Sequence, residues 1–335
     1  MLLRASMSQL GGGRGLVSKV MITGGTGQIG SELALELRRR YGNDNVLVLG
    51  HSRKPSGGLL GSGPFETVDI RDRERLGELV EQFDIGEIYH LAAVLSGVGE
   101  KDPQFAWGLN MNGLINVLEI ARERNIKVFW PSSIAVFGNN CPKKNTPQNT
   151  VLQPTTMYGV TKVAGELLCD YYYRRYGVDV RSVRYPGIIS AEIMPGGGTT
   201  DYAVAMFDEA VRKNRYICFV REDTALPMMY MPDCINAAIN LMEARTENIS
   251  THLGYNLNGI SFSVAELANI MVKHSSGFKI EYQPDFRQAI ADSWPDSLDD
   301  SLATKDWGWK VEWGLDRMAD DMFARLRKRK AEGKL

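Results

Sequence analysis

The sequence predicts a doubly wound, parallel α/β sheet followed by a smaller C-terminal α/β lobe. Three observations carry this. Apolar, β-branched runs alternate with amphipathic stretches of helical period, a turn with three evenly spaced glycines sits inside the first such unit, and the alternation breaks down after about Ser190. At 335 residues the chain exceeds one ordinary domain, so a large α/β domain with an appended lobe is the natural division.

Taken in order, "LVSKVMIT" reads as the first strand and "SELALELRRRYG", with Leu33 and Leu37 at helical spacing, as the first helix. "NVLVLG" and "FETVDIRD" are the second and third strands. The helix "RERLGELVEQF" then leads into a fourth strand, "EIYHLAAVLS". A long helix, "QFAWGLNMNGLINVLEIARERN", precedes the strand "KVFWPSS"; another, "YGVTKVAGELLCDYYYRRYG", precedes "DVRSVRYPGIIS". Strand–helix alternation of this kind implies βαβ crossovers and hence parallel pairing. Beyond it, "PGGGTTDYAVAMFDEAVRKN" is a glycine-rich loop feeding a helix, followed by short elements rich in proline and tryptophan, such as "SWPDSLDDS" and "DWGWKVEWG". The expected boundaries are 1–16 for a leader or transit segment, 17–190 for a Rossmann-type nucleotide domain and 191–330 for a mainly substrate-binding lobe. Elements from about 216–255 are expected to return to the first domain.

Composition narrows the function classes. Lys plus Arg number 39 against 40 Asp plus Glu, a net charge of −1, which supports neither nucleic-acid nor membrane-surface binding. The basic run "RLRKRKAEGK" reads as a solvated helix end. Cys141, Cys169, Cys218 and Cys234 lack zinc or redox spacing, and the four histidines are dispersed, so free thiols and no metal site are expected. No apolar run reaches membrane-spanning length. The first segment, "MLLRASMSQLGGGRGLVSKV", holds Arg4, Arg14 and Lys19 but no acid before Glu32. That composition suits a mitochondrial transit segment, with a disordered leader and an internal start at Met7, and thus a cytoplasmic protein, as the alternative.

Gly24, Gly27 and Gly30 lie between a strand and a helix. In that setting the first permits a tight turn, the second a close approach of a pyrophosphate, and the third the packing of helix on strand. The helix N-terminus then faces the anion. At the end of the second strand an acid would bind the ribose of NAD, whereas a base would favour the phosphate of NADP. Here the strand ends "VLGHSRKP", with Arg53 and Lys54 and no acid, which read locally leans towards NADP; the other reading is a solvated loop. Asp69, closing the third strand, is placed to meet an adenine amino group.

"MYGVTK" sets Tyr158 and Lys162 one helical turn apart on one face, and Ser132 and Ser133 end the preceding strand. A phenol titrates near 10, so work as a base at neutral pH requires neighbouring positive charge. Lys162 and an oxidised nicotinamide supply it, and a serine hydroxyl orients the substrate oxygen. The competing reading makes Tyr158 a core tyrosine and Lys162 a surface lysine.

Together "GGTGQIG", "LAA" at 91–93, "PSSIAVFG", "YGVTK" and "RYPGIIS" resemble the extended short-chain dehydrogenase/reductases of the UDP-galactose 4-epimerase type, from Val17 to about Arg325. The resemblance implies Ser133, Tyr158 and Lys162 as catalytic residues. It implies cofactor contacts from Gly24, Gly27, Gln28, Ile29 and Gly30, from Asp69 and Ile70, from Leu91, Ala92 and Ala93, and from Asn110, Tyr158, Lys162 and Tyr185. Asp233 matches the family's structural Asp opening a late helix. A narrower likeness, carried by "PGGGTTDYAVAMFDEAV" and "SWPDSLDDSLATKDWGW", is to the short-chain L-threonine 3-dehydrogenases, which oxidise threonine with NAD to 2-amino-3-ketobutyrate. Gly50-His51 departs from that family's pattern, where an acid is usual, so NAD rests on the resemblance against the local reading. The resemblance further implies a homodimer built on the helices at about 104–124 and 158–176. Leu109, Leu114, Val117 and Leu118 are apolar positions on the first of these, and they could equally pack within one chain.

In "PGGGTTDYA", Thr200 or Asp201 is a natural N-cap, and Ala203, Met206, Phe207, Ala210 and Val211 form one apolar face. The amides of Gly197, Gly198, Thr199 and Thr200 are then expected to be free for a substrate carboxylate, assisted by the Thr199 and Thr200 hydroxyls, with the ammonium on backbone carbonyls or Ser96. The alternative is a structural cap on a flexible loop. Two other functions fit the motifs: a nucleotide-sugar 4-epimerase, with Arg212, Arg215 and Arg221 available for a diphosphate, and a non-catalytic NAD-sensing protein.

Overall fold

The computed structural model describes residues 18–194 and 196–335, so the expected leader at 1–16 lies outside the described residues. In chain order the strands are β1 (Lys19–Thr23), β2 (Val46–Gly50), β3 (Phe65–Thr67), β4 (Ile85–His90), β5 (Lys127–Ser133), β6 (Val180–Tyr185), β7 (Gly187–Ile189), β8 (Arg215–Cys218), β9 (Ala225–Tyr230), β10 (Gly254–Asn256), β11 (Ile260–Ser263) and β12 (Lys279–Tyr282). Seven of them pair in parallel in the order β10-β6-β5-β4-β1-β2-β3. The chain thus runs outward from β1 to β3, then crosses back to place β4 on the other side of β1. The strand ends splay at that reversal, which is where such sheets bind ligand.

Period-two alternation divides the strands between two cores. Val20, Ile22, Val46 and Val48 pack against Leu33, Ala34 and Leu37 of the helix Gln28–Tyr41. Met21, Leu47, Leu49 and Ile88 face Leu76, Leu114 and Val117 on the opposite side. With both faces covered, β2 is buried at all of its positions, as a central parallel strand should be.

The second lobe holds the sheet β11-β9-β7 and the pair β12-β8 around a third core that includes Phe207, Met228, Leu267 and Phe323. The chain also re-enters the first core. Cys234 and Ala238 of the helix Met231–Glu243 pack with Val20 and Ile22, and β10 adds to β6. The Asp233 carboxylate accepts from the Glu312 and Trp313 amides at 3.1–3.3 Å, fastening the tryptophan-rich segment to that helix. The long helix read over 104–124 is interrupted: Pro103–Trp107 passes through a π turn, Gly108–Asn112, before Gly113–Arg124. All four cysteines are buried and unpaired. No helix among the described residues is long and apolar enough to cross a membrane.

Candidate active site

The glycine turn meets the physical demands read from its spacing. Gly24 sits at φ +66°, and a Cβ there would lie 2.7 Å from the Ala92 amide nitrogen, so only glycine fits. The Gly27 N–H closes the turn on the Gly24 carbonyl at 3.0 Å. A methyl group on Gly30 would collide with that same carbonyl, which explains the close packing of helix on turn. The helix Gln28–Tyr41 has neither a side-chain cap nor an acid in its first turn, so the amides of Gln28, Ile29 and Gly30 are left for an external anion. The side-chain nitrogen of Gln28 is buried here without a partner. This cradle fits a dinucleotide pyrophosphate.

Leu91, Ala92 and Ala93 continue β4 alongside the turn: the Leu91 amide donates to the Thr23 carbonyl at 3.1 Å and the Ala92 amide to its hydroxyl at 3.4 Å. Thr23 also bonds His90 Nδ1 at 2.7 Å, and burial pushes that imidazole down to about 3, so it stays neutral. Asn110 holds the next residues in place. Its amide bonds both polar atoms of the Val94 backbone, at 2.8 and 3.2 Å, and the Thr161 hydroxyl at 3.1 Å.

At the carboxyl edge of β5, Ser133 lies beside the phenol of Tyr158, and its oxygen accepts from the Ala135 amide at 3.2 Å. Thr156 caps the helix Met157–Tyr176 by accepting from the Gly159 amide at 3.0 Å. A methyl on Gly159 would strike the Ala135 carbonyl, so this glycine allows the helix to approach the serine turn. Lys162 is 4% exposed; its ammonium donates to the Pro131 carbonyl at 2.6 Å and lies 4.5 Å from the Trp130 ring centroid and 5.4 Å from that of Tyr158. Burial pushes Lys162 down to about 7 and Tyr158 up to about 12, with the Ser133 hydroxyl pulling the phenol the other way.

Several expected contacts are corrected. Ser132 does not face the site: strand alternation turns it to the opposite side of β5, where it donates to Glu166 at 2.5 Å. The amides of Gly197 and Gly198 are not free, because Asp201 Oδ2 accepts from both, at 2.9 and 2.8 Å. Asp201 therefore occupies the anion position assigned to substrate, and it is an N-cap without a side-chain bond to its own helix. Thr200 packs its side chain against Gly187, whereas Thr199 is buried with its hydroxyl 3.4 Å from that of Ser96. The loops carrying them are joined by the Gly97 amide, which donates to the Gly197 carbonyl at 2.9 Å. The Asn110 side chain is engaged by Val94 and Thr161, and the Tyr185 hydroxyl donates to the Cys234 carbonyl at 2.7 Å. The Ile70 side chain is buried and its carbonyl accepts from Asn116 at 3.0 Å. Asp69 is held in a fork by Arg71, at 2.6–3.1 Å, which keeps its carboxyl down at about 2.

Sequence reasoning missed Thr23, His90 and Glu166 as parts of this neighbourhood, and it read Asp201 as a helix cap and not as the partner of the Gly197 and Gly198 amides. Strand alternation was the one signal that separated Ser132 from Ser133. The other contacts join residues far apart in the chain.

A nucleotide cradle at a parallel sheet's switch point, opening on a Ser–Tyr–Lys group, defines an NAD-dependent oxidoreductase acting on a CH–OH group. The chain belongs to the NAD dependent epimerase/dehydratase family, which it matches over residues 20–256. Among sequence relatives, an uncharacterized epimerase/dehydratase of Staphylococcus haemolyticus is 50% identical over 308 residues, covering 92% of this chain and 97% of the relative. Among solved structures, L-threonine dehydrogenase from Clostridium difficile is 49% identical, with a TM-score of 0.91 over 93% of this chain and 98% of that one. The holo form of a GalE-like L-threonine dehydrogenase from Cupriavidus necator is 52% identical, with a TM-score of 0.89 over 92% and 99%. UDP-glucose 4-epimerase from Thermotoga maritima, at 20% identity and a TM-score of 0.81, shares the fold. The Staphylococcus relatives come from organisms without mitochondria and lend the mitochondrial reading no support.

Proposed function

We propose that this chain is an L-threonine 3-dehydrogenase that uses NAD to oxidise the C3 hydroxyl of L-threonine to 2-amino-3-ketobutyrate. One observation carries the reading: a complete Ser133–Tyr158–Lys162 group stands in a chain about half identical, over nearly its whole length, to solved L-threonine dehydrogenases.

NAD, held by the cradle at Gly24, Gly27 and Gly30, would supply a hydride acceptor and a positively charged ring. Tyr158 takes the hydroxyl proton, and Ser133 donates a hydrogen bond that orients the substrate oxygen. Lys162 holds its ammonium against Pro131 and beside the phenol, where its charge favours the phenolate. Burial pushes the phenol up to about 12, so work as a base at neutral pH requires positive charge beside it. Because Asp201 fills the Gly197–Gly198 amides, we assign the substrate carboxylate to the adjacent hydroxyls of Ser96 and Thr199. Cofactor and substrate then meet across a division of the chain near residue 190.

We further propose a homodimer. Val160, Leu167 and Tyr171 share one face of Met157–Tyr176 and are 40%, 62% and 50% exposed, a stripe of apolar surface that a second copy would cover. A solved monomeric L-threonine 3-dehydrogenase at 46% identity shows that this fold also exists without such a partner.

The test is initial-rate formation of NADH with L-threonine. Turnover should fall about 10²–10⁴-fold in Tyr158→Phe while NAD affinity is retained. Activity on a UDP-sugar and none on threonine would replace this reading with the epimerase one.

A further inference from the structure

The glycine cradle fits a dinucleotide, and the ribose end of the same site lacks the acid that would select a free 2′-hydroxyl over a phosphate. An NAD-selective site carries an acid at the end of the second strand to accept from that hydroxyl and repel a phosphate. In this chain β2 ends at Gly50, followed by His51, Ser52, Arg53 and Lys54, all exposed. Residue 50 has no room for an acid: a Cβ there would lie 2.9 Å from the Phe65 ring and 3.0 Å from the Arg53 carbonyl. The turn after β2 therefore folds back over Gly50 and leaves its basic side chains exposed.

That turn adjoins the cradle, since the Gly25 amide donates to the Leu49 carbonyl at 2.9 Å. The Arg53 guanidinium extends towards the glycine loop of the second lobe, with Nη2 3.6 Å from where a Cβ of Gly196 would stand. Among the described residues, Arg53 and Lys54 form no ion pair. Asp69, the carboxylate near His51, is already taken by Arg71. Arg53 and Lys54 thus leave this edge cationic.

We propose that this edge accepts a 2′-phosphate through Arg53 and His51, so that the chain takes NADP alongside NAD. A guanidinium binds phosphate oxygens through a fork of charge-assisted hydrogen bonds, and loss of the acid removes the repulsion that would exclude the phosphate. The proposal rests on the dinucleotide reading of the cradle and is independent of the substrate.

NADH and NADPH differ only by that phosphate, and their fluorescence reports binding without turnover. Titrated against the full chain at low salt, NADPH should bind within about tenfold of NADH, and its affinity should fall more steeply as salt is added. Arg53→Ala should weaken NADPH at least about tenfold and leave NADH within about threefold. His51→Asp, an exposed substitution whose folding a thermal melt would check, should tighten NADH and weaken NADPH. NADPH binding more than tenfold weaker than NADH, or equal losses for both in Arg53→Ala, would overturn the proposal while leaving the cradle intact. If neither nucleotide binds, the cradle reading falls with it.

Discussion

Lys162 carries a conflict that its position creates. Burial against Trp130 and the Pro131 carbonyl pushes it down to about 7 from its ordinary 10.5. Between those values the unfolded chain binds a proton that the folded chain does not, so this residue's contribution to stability rises with pH across that window. Below about pH 7 its full destabilising contribution is present. Lys162→Met, which keeps the bulk and removes the charge, should therefore melt higher than the parent near pH 6.5, and the difference should shrink towards pH 10. The same variant should lose turnover. Paired melts at the two pH values, with one rate assay, check both outcomes.

At the scale of elements, the serine turn and the catalytic helix are positioned by how closely they approach. Gly159 has no side chain because the Ala135 carbonyl occupies that space, and Thr156 sets where the helix begins. Gly159→Ala should push the helix away from Ser133 and lower kcat at least about tenfold, with a smaller effect on NAD binding, since Gly24, Gly27 and Gly30 are untouched. Steady-state kinetics and a cofactor titration separate the two. Much of this was legible in the sequence, because it rests on local rules: glycines where the backbone must turn or pack, an i,i+4 pair on one helix face, and alternation of apolar runs. The amides of Gly197 and Gly198 were misjudged for a related reason. Counting donors at a helix start does not reveal a carboxylate four residues on, Asp201, that folds back to meet them. The π turn at Gly108–Asn112 likewise has no local signature, and it is the turn that carries Asn110.

For the whole molecule, an interior ion pair joins what the sequence keeps apart. Glu166 and Arg184, 1% and 2% exposed, meet at 2.7 and 2.9 Å; Ser132 donates to the same carboxylate, and Arg184 continues to the Gln148 carbonyl and Asn256, each at 3.0 Å. One satisfied network thus links β5, β6, β10 and the catalytic helix. Glu166→Ala leaves the guanidinium buried without its partner and should cost about 3–5 kcal/mol, measured by chemical denaturation. On the outer face of the same helix, Leu167→Glu should convert a dimer to monomers in sedimentation velocity without changing the monomer's melt. An unchanged mass would show that the stripe is not the interface. The pairing of β6 with β10 has a consequence for how the molecule is made. The last strand of the sheet begins at Gly254, although its neighbour is complete at Tyr185, so β7, β8, β9 and two α-helices are synthesised in between. On the ribosome, the growing chain must hold β6 as an open edge, its backbone donors and acceptors unpaired, until some seventy further residues have emerged, about 4–14 s at ordinary elongation rates. During that interval the nascent nucleotide domain is at its most exposed to strand capture by a neighbouring chain.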